Sequence, residues 1–400
     1  MTRPRIAIDF RWFDDLTICS GQYRYAADLI RGLAALHAPA QFIVLGSRSA
    51  PVSEIAPLFR DRKRWKYEFV PRFSGRGALY REQLRYQFLL RRLKIDLLHQ
   101  LHTFVPIFSP VTVVATVCDL MVELFPEYAA IVRSREYRLQ KWAFQRFASR
   151  AIAISKTTAD DLNRLWNYPA ERTDVVYLGP DLPTVSVSGR RADPPIILAP
   201  YNLEPRKNLF RLLDAVAKLH YLGWRFQLVL FGRAAVNDER ECEFYARLDE
   251  LELRGSTTMT GRISDEKLAE LYRTASVFVF PSLYEGFGLP VLEAMSAGAR
   301  VVAHNESAMP EIVGDAGLLI DMRSVQAICE GLVQAMRSPG LGTRAAQRAC
   351  MFSRERMAAE TYAVYEKALA ETAIAVRRHA PAGWPERGLP NRTAEDLGAD

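Results

Sequence analysis

An apolar run, Ala275 to Phe280, stops at Pro281, and a second proline, Pro290, stands where the first turn of a helix tolerates one. Between the prolines lie Glu285, Gly286 and Gly288; beyond them Val291, Leu292, Met295 and Ala299 repeat at helical spacing. A buried strand that passes through a short glycine loop into a helix is the building unit of an open α/β sheet. Such sheets bind ligands beyond the carboxyl ends of their strands, where helix-start amides favour anions. The stretch from Phe280 to Glu311 therefore places Glu285 at a ligand position. Glu293, eight residues further on, is close enough to share it.

Four hundred residues exceed one ordinary core, so two domains are expected. A hydrophobic content of 49% with 25% charged residues is that of a globular chain, and no apolar run approaches the ~18 residues of a membrane helix. The amino terminus meets Asp9 and Arg11 too early to form the apolar segment of a signal peptide. Five scattered cysteines form neither a disulfide framework nor a metal spacing, which points to a reducing cytoplasm. The net charge of +7 is concentrated: from Arg60 to Lys94, twelve basic residues face three acidic ones, a local excess of +9.

Taken in order, Ile6 to Phe10 read as a strand. A loop to Ser20-Gly21 follows, then a helix from about Gln22 to Leu36 and a strand from Gln41 to Leu45. If Leu79 to Leu93 is helical, Leu79, Tyr86, Leu90 and Leu93 share one face. Arg81, Arg85 and Arg92 gather on the other, flanked by Phe88 and Leu89. That basic side is either a solvated face or a contact with an anionic membrane surface; no groove-reading motif or stacking platform accompanies it, so nucleic acid is not expected. Further strands, Ile95 to Leu98, Val111 to Val117 and Arg150 to Ile154, carry His99, His102, Cys118, Asp119 and Ser155 beyond their carboxyl ends. A Pro-, Gly- and Ser-rich linker covers 179–195. A second strand–loop–helix unit then begins at Ile196, with Arg206 and Lys207 where its loop enters the helix. A helix start ordinarily favours acids, so a cation pair there suits a diphosphate.

The segments EPRKN at Glu204 to Asn208, SLYEGFGLPVLEAMSAG and SAMPEIVGDAG, in this order, resemble the retaining glycosyltransferases of family 4. The resemblance implies the GT-B fold, an α/β architecture of two Rossmann-like domains with parallel sheets facing across a cleft. The expected boundaries are 1–178 for the acceptor-side domain and 196–378 for the donor domain, closed by a helix from about Ser353 to Leu369, with a tail at 379–400. The opening IAIDFRW with SGQYRYAADLIRGL is similar to the subgroup that builds bacterial surface polysaccharides, often from GDP-mannose.

By this resemblance Arg206 and Lys207 neutralise the donor diphosphate, Glu285 contacts the transferred sugar and Glu293 holds the ribose. The amides of Phe287, Gly288 and Leu289 face sugar and phosphate, Gly21 lies below the diphosphate, and backbone near Arg262 and Ile263 meets the base. The donor is a substrate, and neither cofactor nor metal is expected. The implied setting is the cytoplasm, peripheral to the inner face of the membrane through 60–94, with a lipid-linked or oligosaccharide acceptor.

Two positions depart from the family. Cys118-Asp119 stands where the family has His-Asp, and a thiol supplies neither the cation nor the hydrogen bond of an imidazole. His102 is the candidate to take over that role. Tyr201 replaces a glycine at which phosphates approach closely. Cys118 also motivates the alternative of a non-catalytic nucleotide-binding scaffold of a glycan assembly complex.

Overall fold

Buried apolar runs assemble into two wholly parallel sheets. The computed structural model describes residues 3–13, 20–73, 77–180, 192–232 and 238–379. The first sheet holds β1 (Arg5–Asp9), β2 (Gln41–Gly46), β3 (Trp65–Phe69), β4 (Leu97–Gln100), β5 (Thr112–Val117), β6 (Arg150–Ala153) and β7 (Thr173–Val175). The second holds β8 (Ile196–Pro200), β9 (Gln227–Phe231), β10 (Thr257–Gly261), β11 (Val277–Phe280), β12 (Val301–His304) and β13 (Leu318–Ile320). Their orders are β3-β2-β1-β4-β5-β6-β7 and β10-β9-β8-β11-β12-β13. All residues of β4, β5, β6, β11 and β12 are buried, as helix cover on both faces of a parallel sheet requires. In each sheet the order reverses at its first strand. Loops leaving β1 and β4, and likewise β8 and β11, therefore turn to opposite sides and leave a crevice.

Contacts divide the chain into one unit of Met1–Pro180 with Arg354–Asp400 and another of Asp181–Ser353. This corrects the expected 196–378 domain: the closing helix, Arg354–His379, packs on the first unit and runs past Leu369. The reason is steric and polar fit to helix α1 (Ser20–Ala35) and to β4, β5 and β6. A Cβ on Gly32 of α1 would stand 2.8 Å from Ala358 Cβ and 2.9 Å from the Arg354 carbonyl, so the backbones approach where glycine leaves room. Arg150, 1% exposed, donates to Asp174 at 2.6 Å and to Glu371 of the closing helix at 2.8 Å. Most of the linker and the expected tail fall outside the described residues.

His99 belongs to this packing. Its Nδ1 is 2.6 Å from the Tyr365 hydroxyl and its Nε2 is 2.8 Å from Thr116 Oγ1, which Tyr25 reaches at 2.9 Å. Burial, with the nearby His102, pushes the His99 pKa down to about 3. Unfolded histidine titrates near 6.5, so between those values the unfolded chain holds a proton that the native chain lacks. Stability conferred by neutral His99 is thus complete above about pH 6.5 and declines as pH falls towards 3, by up to ~1.4 kcal/mol per unit. Thermal melts from pH 7.5 to 5 are expected to fall more steeply for wild type than for His99→Gln. Equal slopes would refute this account.

Helix α2 (Ala78–Arg92) keeps only part of its expected faces. Tyr86 and Leu90 are buried as expected, but Leu89 joins them instead of flanking the arginines. Arg85 folds back over the Phe73 ring at 3.7 Å, and the side chain of Leu79 lies outside the described residues.

Candidate active site

In the second unit, the loops after β8 and β11 are tied to each other at the switch point. Pro205–Lys207 form one 3-10 turn, and Asn208, left-handed with φ 58°, starts the helix Leu209–Tyr221. The Asn208 side-chain Nδ2 donates to the Pro281 carbonyl at 3.2 Å and to the Met322 carbonyl at 2.8 Å. The Leu283 amide donates to the Arg206 carbonyl at 2.8 Å, and Arg206 Nη1 to the Tyr284 carbonyl at 3.4 Å. These bonds hold Lys207 Nζ 2.5 Å and Arg206 Nη1 3.5 Å from Glu285 Oε1. Arg206 Nε is also 2.9 Å from Glu204 Oε2. Arg206, Glu285 and Lys207 are 11%, 14% and 17% exposed, so this is a largely desolvated cluster with an accessible side.

The turn into the helix Leu289–Ser296 is equally constrained. The Glu285 amide donates to Ser307 Oγ at 3.2 Å, and Ser307 itself has φ 56°. Gly288 has φ 101°, a conformation that favours glycine; a Cβ there would lie 2.5 Å from Met309 Cε, the movable end of a side chain, so conformation rather than space demands glycine. Pro290 occupies the first turn as expected. Glu293, on the same helix, accepts from the Tyr272 hydroxyl at 3.5 Å. Arg262 and Ile263 follow β10, whose Gly261 carbonyl accepts from the Gly232 amide at 3.0 Å. Tyr201 turns its ring into the core, 4% exposed and 5.0 Å from Phe244, so its side chain is spent on packing where the family's glycine has none.

The first unit gathers a different set beyond β1, β4 and β5. Arg11, 2% exposed, donates to both Asp9 oxygens at 2.9 Å and to Glu82 at 3.0 Å. Tyr86 bridges this network by donating to Asp9 and accepting from Gln100 Nε2 at 2.8 Å. Burial alone would raise the Asp9 pKa, but Arg11 outweighs it and holds the carboxyl at about 2. His102 lies among Trp12, Phe104 and Phe13, with ring centroids 4.8, 6.0 and 6.2 Å away. Its Nδ1 accepts from the Phe104 amide at 2.9 Å, which leaves the proton on Nε2. Burial pushes its pKa down to about 4, so the ring is neutral at pH 7. His102 Nε2, Trp12 Nε1 and Gln100 Oε1 are buried atoms with no hydrogen-bond partner among the described residues. Cys118 is half-buried, with its carbonyl 3.4 Å from Thr158 Oγ1. Asp119 accepts from the Met121 amide at 3.2 Å, and Gly21 is exposed in the first turn of α1.

Arg206, Lys207 and Glu285 are thus brought into direct contact. His99 and His102, paired in the sequence reading, are separated into a packing residue and a site residue. Sequence reasoning missed Asn208, Ser307 and Tyr284 as supports, and Trp12, Gln100 and the Asp9–Arg11–Glu82 network. Asn208, Ser307 and Tyr284 lay inside motifs that were already marked, as did Asp9, Arg11 and Trp12; no local pattern flagged Glu82 or Gln100. Among the described residues, no group of three or more His, Cys, Asp or Glu could hold a metal ion.

Two doubly wound parallel sheets, each with polar side chains at its switch point, define the GT-B class. Residues 19–183 match the family described as Glycosyltransferase Family 4, and residues 184–350 match Glycosyl transferases group 1. O-antigen chain mannosyltransferase B of Escherichia coli is 32% identical over 270 residues, which are 63% of this chain and 70% of that protein. The MMP alpha-(1->4)-mannosyltransferase of Mycolicibacterium hassiacum is 34% identical over 230 residues, 56% of this chain and 55% of its own length. Sucrose-phosphate synthase from Thermosynechococcus elongatus shares the fold with a TM-score of 0.72 at 21% identity, over 92% of this chain and 100% of that one. The chain belongs to glycosyltransferase family 4 and is a glycosyltransferase.

Proposed function

We propose that the chain is a retaining hexosyltransferase that moves a hexose, mannose first among the candidates, from a nucleoside-diphosphate sugar to a lipid-linked or saccharide acceptor in surface polysaccharide synthesis. The observation that carries this reading is the Arg206–Lys207–Glu285 cluster. Two cations stand at the carboxyl edge of the sheet, held before any ligand arrives by Glu204 and by Glu285, the carboxylate that opens the turn to Phe287, Gly288 and Leu289. As the bond to the sugar breaks, negative charge grows on the departing diphosphate. Preorganised cations and amides stabilise that charge more than they stabilise the bound donor, which lowers the barrier. They also supply the positive charge that a metal ion supplies elsewhere, so no metal is called for. Glu285, once its cations turn to phosphate, contacts the sugar; Glu293 holds the ribose, and the backbone at Arg262 and Ile263 meets the base. Gly21 leaves room for the diphosphate.

On the acceptor side His102 acts as a neutral hydrogen-bond donor through Nε2, with Trp12 Nε1 as a second donor and Gln100 Oε1 as an acceptor. A set of unmet donors and an acceptor suits a sugar hydroxyl. In this family the leaving phosphate itself assists removal of the acceptor proton, which leaves Cys118 and Asp119 a lining role. The two mannosyltransferase relatives favour mannose, and the O-antigen enzyme favours a surface polysaccharide.

The test is release of nucleoside diphosphate from a panel of nucleotide sugars, with and without EDTA. Release from GDP-mannose above the other donors, unaffected by EDTA and giving an α-linked product by proton NMR, is expected. Nucleotide binding without turnover of any donor would overturn the reading in favour of the scaffold.

A further inference from the structure

Ser307 lies between β12 and the helix Met309–Val313 with φ 56°, in the left-handed region where a side chain strains the backbone and glycine does not. Its neighbours hold it there from both sides. The Asn305 amide donates to the Ile320 carbonyl at 2.9 Å, and Glu306 pairs with both Arg323 Nη atoms at 2.9 and 2.7 Å. On the other side Ala308 and Met309 are fully buried. A strained conformation so firmly held, beside a ligand site, points to a side chain that does what glycine would not.

That side chain holds one peptide group of the turn at 285–288. Ser307 Oγ accepts from the Glu285 amide at 3.2 Å, and the other end of the same peptide, the Tyr284 carbonyl, accepts from Arg206 Nη1 at 3.4 Å. These two partners have different fates when a donor binds. Arg206 and Lys207 turn from Glu285 to the diphosphate, so the hold of Arg206 on Tyr284 is given up. Ser307 is uncharged and takes no part in that exchange, so its bond outlasts it. It then fixes the peptide plane from which the Glu285 side chain departs, just when that carboxylate has lost its two cations. Rotation of this plane would swing the carboxylate away from the sugar, and displacements of about 1 Å in a reacting site cost up to ~10²-fold in rate.

We propose that Ser307 is a positioning residue that keeps Glu285 aimed at the transferred sugar once the donor has drawn its cations away. This role rests on the donor-site reading of Arg206, Lys207 and Glu285. The test compares Ser307→Gly and Ser307→Ala with wild type in kcat, donor KM, nucleoside diphosphate affinity by calorimetry, and melting temperature. Glycine removes the hydroxyl and the strain together, whereas alanine removes the hydroxyl and keeps the strain. Both variants should lose about ten-fold in kcat, the loss of one hydrogen bond, with nucleotide affinity unchanged. The glycine variant should nevertheless melt above the alanine variant. A serine needed only for folding would instead let activity follow melting temperature. Wild-type kcat in the glycine variant, or a kcat that tracks stability across the pair, would overturn the proposal. If Lys207→Ala is impaired in the same assay, the donor-site reading survives that result and only the role of Ser307 falls. Full turnover in Lys207→Ala would overturn both.

Discussion

Lys207→Ala is expected to lower kcat/KM for sugar transfer by about 10²- to 10³-fold, with most of the loss in kcat. Lys207 sits 2.5 Å from Glu285, at the meeting of the β8 and β11 loops, so its position is set before the donor arrives. Under the proposed mechanism its attraction to diphosphate strengthens as the bond to the sugar breaks, and affinity for the free nucleotide should fall far less than turnover. Initial rates beside calorimetry of nucleoside diphosphate binding separate the two effects. Arg206 shares the same carboxylate at 3.5 Å, so the double alanine variant should lose less than the product of the single losses. Full turnover in Lys207→Ala would remove the basis of the donor-site reading.

Arg11→Met should destabilise the protein by about 3–5 kcal/mol at neutral pH, because it strands Asp9 and Glu82 as buried charges without their cation. The effect has a characteristic pH dependence. In the native protein the Asp9 pKa is about 2, below its ordinary 3.8, so its contribution is present above 3.8 and is lost as pH falls through 2. Without Arg11, burial acts unopposed and raises the Asp9 pKa above its unfolded value. The protonated carboxyl is then the favoured native form, and the penalty for ionising it grows as pH rises. The gap between variant and wild type should therefore narrow from pH 7 to pH 4. Urea unfolding at both values measures it, and a deficit that does not change with pH would refute the assignment to Asp9.

Local punctuation made part of this molecule legible. Pro281, Gly288 and Pro290 mark a strand end, a turn and a helix start within a few residues, and each mark rests on backbone sterics that hold in any fold. The contact between Lys207 and Glu285 spans 78 positions of chain, and only resemblance to a family could join them. Two other features were hidden for two different reasons. Strand β3 lies at the edge of its sheet, and its exposed Lys66 and part-exposed Glu68 made the run look like part of a charge block. Asp9, Arg11 and Glu82 are charged, and charged residues are ordinarily assigned to the surface; their burial depends on a pairing across 71 positions. The closing helix was legible as a helix, but periodicity says only that one side is buried, not which sheet buries it.

That helix changes what a segment of this chain can be. The second unit, 181–353, is an insertion within the first, whose fold needs residues from both ends of the chain. Synthesis from the amino terminus would complete the second sheet before the first could cover Tyr25, His99 and Thr116, because Tyr365 arrives later. Residues 1–180 alone would leave that side of the first unit bare. A stop codon just after residue 353 would spare the unit that precedes it in sequence and damage the one that began the chain.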